Sequence, residues 1–378
     1  MLTMFMLMRM EENLGPRLTT IRFSSLDGLR GAAALTVVFF HASFSLKIFG
    51  AQAYTGAIWD LMDFTPIHVL VQGREAVHLF FVLSGLTLPL LLNRLKPLGR
   101  PYLFSRLVRL YAPAWIALTL YLLALVSIGT AIDPGAGGNI TLKLVRDYLM
   151  VFGPQPGSEV TLGVLWSLAF EIIFSVTIFL WRPLVKSCAF VPMLLASIFL
   201  MTVGDLLHVG ILQYMPMFLI GMVTLANLEK LKGYIQNFSA KLSQSWLLAI
   251  SLSLISLEYI VKPWIPISSG STASSDDFLR PFFYMPEFLG ILLLIGLALV
   301  ESKLRTFLTT KVVLWFGKIS FSLYLTHQLA ILLWSKVDVP EWPRFALVIV
   351  TSLILGSVFY LVFERYIHAF ARKIARSA

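Results

Sequence analysis

The sequence predicts an all-α polytopic membrane protein of about ten transmembrane helices with both termini in the cytoplasm. Three observations predict it. Of the 378 residues, 58% are apolar and 13% are charged, which is far outside the balance of a soluble domain. Apolar runs long enough to cross a bilayer recur between short polar breaks, at about 31–49, 76–93, 110–131, 162–181, 187–204, 210–228, 244–261, 282–300, 313–334 and 345–363. Most of the 30 lysines and arginines fall in the two ends and in alternate connections, such as Arg94 to Arg109 and Arg365 to Arg376. The positive-inside rule assigns that side to the cytoplasm. The net charge of +10 is thus a topology signal, and no nucleic-acid partner is expected.

The chain justifies these elements in order. Met1 to Met10 is apolar but too short to span, and Arg9, Glu11 and Glu12 follow without a small-residue cleavage pattern. Residues 1–24 therefore read as a cytoplasmic segment without a signal peptide. In the first span Arg30 and His41 stand eleven positions apart, which is three turns plus about 20°, so both side chains share one helix face about 16 Å apart. An ionisable group that deep marks a functional site by default, although a backbone carbonyl can also satisfy a lone histidine.

In the second span Arg74, Glu75 and His78 cluster at the outer end, placed either to meet an external acceptor or to anchor the helix end. Ser84-Gly85 lacks the Gly-x-Ser-x-Gly of a nucleophile elbow and reads as small-residue helix packing. Arg106 and Arg109 sit one turn apart at the mouth of the third span. Their guanidiniums can close on one phosphate-rich ligand, and positive-inside charge alone also accounts for basic residues there.

The outer segments 132–161 and 262–281 are rich in Gly, Pro, Ser and Asp and read as turns or re-entrant caps. Asp133 to Gly138 and Gly153 to Gly157 are breakers, since neither carries the lysine of a phosphate cradle. The fourth span places Glu171 at a depth similar to that of His41. Such a carboxylate would fix the ring tautomer and raise basicity, as a general base requires, or serve only as a structural ion pair. Cys188 is the single cysteine and forms no intrachain disulfide. In the ninth span Ser320, Tyr324 and His327 recur at i, i+4 and i+7. Interhelical hydrogen bonding explains Ser320 and Tyr324, whereas His327 is balanced between that role and chemistry.

Five stretches together resemble the acyltransferase-3 family of integral-membrane acyltransferases. They are Ser25-Leu-Asp-Gly-Leu-Arg-Gly31 with Arg-x10-His ending at His41, Leu79 to Gly85, Arg106-Leu-Val-Arg109, Trp166 to Glu171, and Ile319 to His327. They occur in the family's order and span most of the chain. The resemblance implies a ten-helix domain, here 25–366 with a basic cytoplasmic tail at 367–378, in a bacterial inner membrane. Acetyl-coenzyme A or another acyl-coenzyme A is the implied donor, with no metal, and a hydroxyl of a glycan or glycolipid is the implied acceptor.

By the same resemblance His41 is the catalytic histidine, Arg30 the arginine of its motif and Glu171 the fourth-helix glutamate, and Arg106 and Arg109 suit the phosphates of coenzyme A, which Arg30 could also meet. Trp166, Tyr324, His327, His78 and Glu75 are supporting candidates. The chain departs from many members after Glu171, where Ile172 and Ile173 replace a second glutamate and its neighbour, and at Thr326, where a tryptophan is common. It also ends at Ala378 without the extracytoplasmic hydrolase-like domain of some members. The rival class is a transporter of a small polar or acylated substrate, which predicts an internal repeat. No duplication between the halves is visible.

Overall fold

The computed structural model describes residues 23–48, 65–94, 100–132, 139–151, 161–187, 189–261 and 280–376. Among these residues the chain is helical throughout, without a strand. The helices are α1 (Ser24–Ile48), α2 (Gly73–Arg94), α3 (Arg100–Ser127), α4 (Ile140–Leu149), α5 (Leu165–Ser187), α6 (Phe190–Leu206), α7 (Gly210–Ala226), α8 (Leu228–Lys241), α9 (Gln244–Ile255), α10 (Leu257–Val261), α11 (Tyr284–Leu299), α12 (Lys303–Leu308), α13 (Lys311–Ser335), α14 (Glu341–Phe359) and α15 (Arg365–Arg376). One π turn, Tyr360–Glu364, joins α14 to α15 without a break. Single 3₁₀ turns, Pro66–Val71 and Arg280–Phe283, lead into α2 and α11.

Length and apolar composition suffice for a membrane crossing at Pro101–Ser127, Arg280–Leu299 and Glu341–Ala375 among the described residues, and also at the α7–α8 pair, bent by 79°, if it counts as one span. Hydrocarbon offers backbone groups no partner, so apolar runs of this kind close their hydrogen bonds within a helix. Large apolar side chains such as Leu123, Leu289, Val350 and Ile354 remain exposed along these helices, as a lipid-facing surface requires.

Small residues set the contacts that position the site. A Cβ on Gly31 of α1 would meet the backbone of Phe316 and Gly317 on α13, and one on Gly317 would meet the carbonyl of Asp27. Farther along the same two helices His41 meets His327, so α1 and α13 run parallel. Gly85 of α2 and Gly221 of α7 pack in the same way, with Phe218 O and Val82 O where a Cβ would stand. This is the small-residue packing that Ser84-Gly85 suggests. α2 runs antiparallel to α1: Arg30 reaches Leu83 and Thr87, while Phe40 lies over Gly73.

The outer segment at 132–161 departs from the expected turns. Within it α4 forms, capped by Asn139 Oδ1, which accepts from Thr141 N and Leu142 N at 2.8 and 3.3 Å. It ends on Met150 in the left-handed region at φ 52°. α4 is anchored to α3, since Trp115 Nε1 donates to Tyr148 O at 2.7 Å and Tyr111 to Leu149 O at 2.9 Å. The expectations for Met1 to Met10, the breakers at 133–138 and 153–157, Cys188 and most of 262–281 lie outside the described residues.

Candidate active site

A cavity of about 630 Å³ opens among α1, α2, α3, α5, α13 and α15. Its charged wall is built by three helices at one level. Arg30 donates to Thr87 Oγ1 at 2.6 Å and Leu83 O at 3.3 Å and stands 3.7 Å from Asp27. Arg106 pairs with Glu171 and donates through Nε to Ser175 Oγ at 3.0 Å. Ser84 donates to the same Glu171 oxygen at 3.4 Å, and Ser175 holds the Glu171 carbonyl at 2.6 Å. Arg109 lines the cavity beside them with a buried Nε that has no hydrogen-bond partner.

Tyr324 lines the same cavity, and its hydroxyl lies 2.7 Å from Ser167 Oγ; His41 and His327 do not line it. One turn farther along α13, 6.0 Å between ring centroids, stands His327, which is fully buried. His327 Nδ1 lies 3.2 Å from Leu323 O, and its Nε2 lies 3.2 Å from His41 Nδ1. Carbonyls only accept, so the His327 proton sits on Nδ1 and its Nε2 is a lone pair. That lone pair accepts from His41 Nδ1–H, which also bonds Val37 O at 3.0 Å. By elimination the neutral His41 ring carries its own free lone pair on Nε2. This tautomer is the one a general base or nucleophile needs.

The expected pairing of Glu171 with His41 is therefore corrected. Glu171 pairs with Arg106, and the partner of His41 is His327. The reason is register: Arg30, eleven residues before His41, is the α1 residue at the level of Arg106 and Glu171, and all three line the cavity. Glu75 and His78 are also not at an exposed helix end, being 3% and 1% exposed. His78 Nδ1 lies 2.6 Å from Glu287 of α11, while Arg74 bridges Glu75 and Glu258. They tie α2 to α10 and α11 and do not line the cavity. Trp166 packs edge-on to Phe81 and 5.0 Å from the Tyr214 ring, inside an aromatic cluster behind the cavity wall.

Sequence reasoning took Ser84 for helix packing alone and did not single out Thr87 and Ser175, the other hydroxyls that hold the charged wall, because serine and threonine in a span also satisfy their own helix carbonyls. It also passed over Lys318, Glu364, His368 and Arg372 as cavity-lining groups. For Glu364, His368 and Arg372 the i, i+4, i+8 spacing was only a partial signal, since it drifts about 80° in a regular α-helix. Among the described residues no His, Cys, Asp and Glu group stands together to hold a metal ion.

Comparison with known proteins identifies the lineage. Residues 23–361 match the acyltransferase-3 family model, described as an acyltransferase domain. A curated relative, "Acyltransferase MdmB" of Streptomyces mycarofaciens, is 31% identical over 170 residues, which is 44% of this chain and 41% of the relative. The matched region thus spans less than half of that relative's length. No solved structure matches the chain. With the family model covering nearly the whole chain, the protein belongs to the acyltransferase-3 family of membrane acyltransferases.

Proposed function

We infer that this protein moves an acyl group, acetyl in the simplest case, from cytoplasmic acyl-coenzyme A to a hydroxyl of a glycan or glycolipid. The observation that carries the reading is the free Nε2 of His41, fixed by the relay from His41 through His327 to Leu323 O. In this reading the ten apolar stretches are ten crossings and both termini are cytoplasmic. Phe23 and Asp27 near the start of α1, and His368 and Arg372 on α15, border one cavity, which supports a common side for both ends.

The cavity's cations, Arg30, Arg106 and Arg109, suit the donor's phosphates, and the depth beyond them suits its pantetheine arm. His41 Nε2 takes the acceptor hydroxyl proton as that oxygen bonds the acyl carbon. The carbon–sulfur bond breaks, and the leaving coenzyme thiolate takes that proton from His41 Nε2. His327 accepts the Nδ1–H of the developing imidazolium and so holds the ring in place. In this reading Tyr324, which lines the cavity and bonds Ser167, donates to the oxyanion of the tetrahedral intermediate. A transient acyl-histidine on the same Nε2 uses the same geometry.

The experiment is transfer of label from [¹⁴C]acetyl-coenzyme A by purified protein offered a glycan and glycolipid extract. Labelled acceptor with equimolar thiol release supports the reading. Folded protein that binds coenzyme A yet labels nothing, and moves solute across liposomes instead, assigns it to transport.

A further inference from the structure

The cavity also has a basic wall that the Arg106 and Arg109 pair does not supply. It is made by the end of the chain. Tyr360, Glu364, His368 and Arg372, four residues apart, all face the cavity. In an uninterrupted α-helix that spacing drifts by about 120° over twelve residues, enough to carry Arg372 off the cavity face. The π turn at Tyr360–Glu364 takes up the drift, because its wider turn holds an extra residue. α15 then packs along α3, whose first turns carry Arg106 and Arg109.

The charges on this wall divide into two groups. Asp27 stands by Arg30, Glu171 pairs with Arg106, and Glu364 is buried, bonding Ser322 and lying 3.5 Å from His368 Nδ1. Arg109, Lys318 and Arg372 have no ion pair among the described residues, and the Arg109 Nε is buried without a partner. Arg109, half-buried with its unpartnered Nε, and the exposed Lys318 and Arg372 thus border one cavity from α3, α13 and α15. Cations of one sign along one cavity raise the local potential for anions there.

We propose that Lys318 and Arg372 are donor-binding residues that, with Arg109, grip the phosphate groups of the acyl-coenzyme, so that α15 is part of the site rather than a tail. The proposal rests on the acyl-coenzyme A reading above. Coenzyme A suits it because a monoester and a diphosphate lie at the same end of the molecule as separate anionic groups. Anionic lipid headgroups share that chemistry and are separated from the donor by experiment.

The test is calorimetric titration of coenzyme A and of phosphate-free pantetheine into the full chain in phosphatidylcholine nanodiscs. Wild type, Lys318→Gln, Arg372→Gln and Arg372→Lys are compared, each first shown to melt cooperatively. The expected result is coenzyme A binding weakened about 10-fold by either glutamine variant and largely restored by Arg372→Lys, with pantetheine unchanged throughout. Equal coenzyme A affinity in wild type and both glutamine variants overturns the proposal and leaves the donor reading standing. So does a loss that appears only in phosphatidylglycerol nanodiscs, which assigns α15 to lipid. Wild type that binds no coenzyme A at all sinks the donor reading itself, and the proposal with it.

Discussion

Replacing His327 separates the two histidines by role. His327 is fully buried and both of its nitrogens are engaged, one with Leu323 O and the other with His41 Nδ1, so it has no atom free for a substrate proton. Its contribution is to accept from His41, most strongly when that ring is positively charged. A hydrogen bond to a charged group is worth about 1.5–3 kcal/mol, or about 10- to 100-fold in rate. Val37 O still holds the same proton at 3.0 Å, which places the loss toward the lower end of that range. His327→Leu is therefore expected to lower kcat about 10-fold with little change in donor KM. His327→Gln, whose side-chain oxygen can accept in the same place, stays within a few fold. His41→Ala removes the base and costs about 10²–10⁴-fold. The assay is steady-state thiol release with saturating acetyl-coenzyme A. Loss in His327→Leu equal to that in His41→Ala, in protein with an unchanged melting transition, would make His327 the base and refute the tautomer argument.

Other consequences follow from single contacts. Glu171→Gln leaves His41 untouched and should keep kcat far above that of His41→Ala. It strips Arg106 of its carboxylate and should lower the melting temperature, as breaking a partly buried ion pair does. Gly31→Leu drives a side chain into the Gly317 backbone, and the helix displacement should lower stability by about 1–3 kcal/mol in a denaturant titration and cut activity by separating His41 from His327. Tyr324→Phe removes the hydroxyl on Ser167, a bond worth about 1 kcal/mol in stability. Its effect on kcat should exceed that on KM if the hydroxyl meets the oxyanion. Asn139→Ala should loosen α4 by about 0.5–2 kcal/mol, read as faster amide exchange over 140–149, with catalysis unchanged.

Within-helix relations were legible in the sequence. The Arg30–His41 stripe and the Ser320–Tyr324–His327 stripe follow from helix period alone, and apolar runs near bilayer length must be helical because hydrocarbon leaves their backbone no other partner. Relations between helices were less so. His41 and His327 are 286 residues apart, and nothing in either span names the other. Depth counted from span ends placed Glu171 beside His41, but the actual register of α1 against α5 puts Arg30 at that level. The end of the chain was the other loss. Arg372 and Lys373 read as part of a basic cytoplasmic tail, because a π turn shifts which residues share a face and leaves no mark in composition. α4 was visible in principle, since Asn139 precedes a helical spacing of Ile140, Leu142, Val145 and Leu149, but the glycines and prolines on either side masked it.

The most direct test of the central claim is a single-turnover measurement on His41→Ala alongside wild type, with donor bound before acceptor is added and coenzyme A affinity measured on the same samples. The account predicts donor affinity within a few fold of wild type and acyl transfer slowed at least about 100-fold. Transfer at the wild-type rate with donor bound would contradict it, because the histidine paired with His41, His327, has both nitrogens engaged.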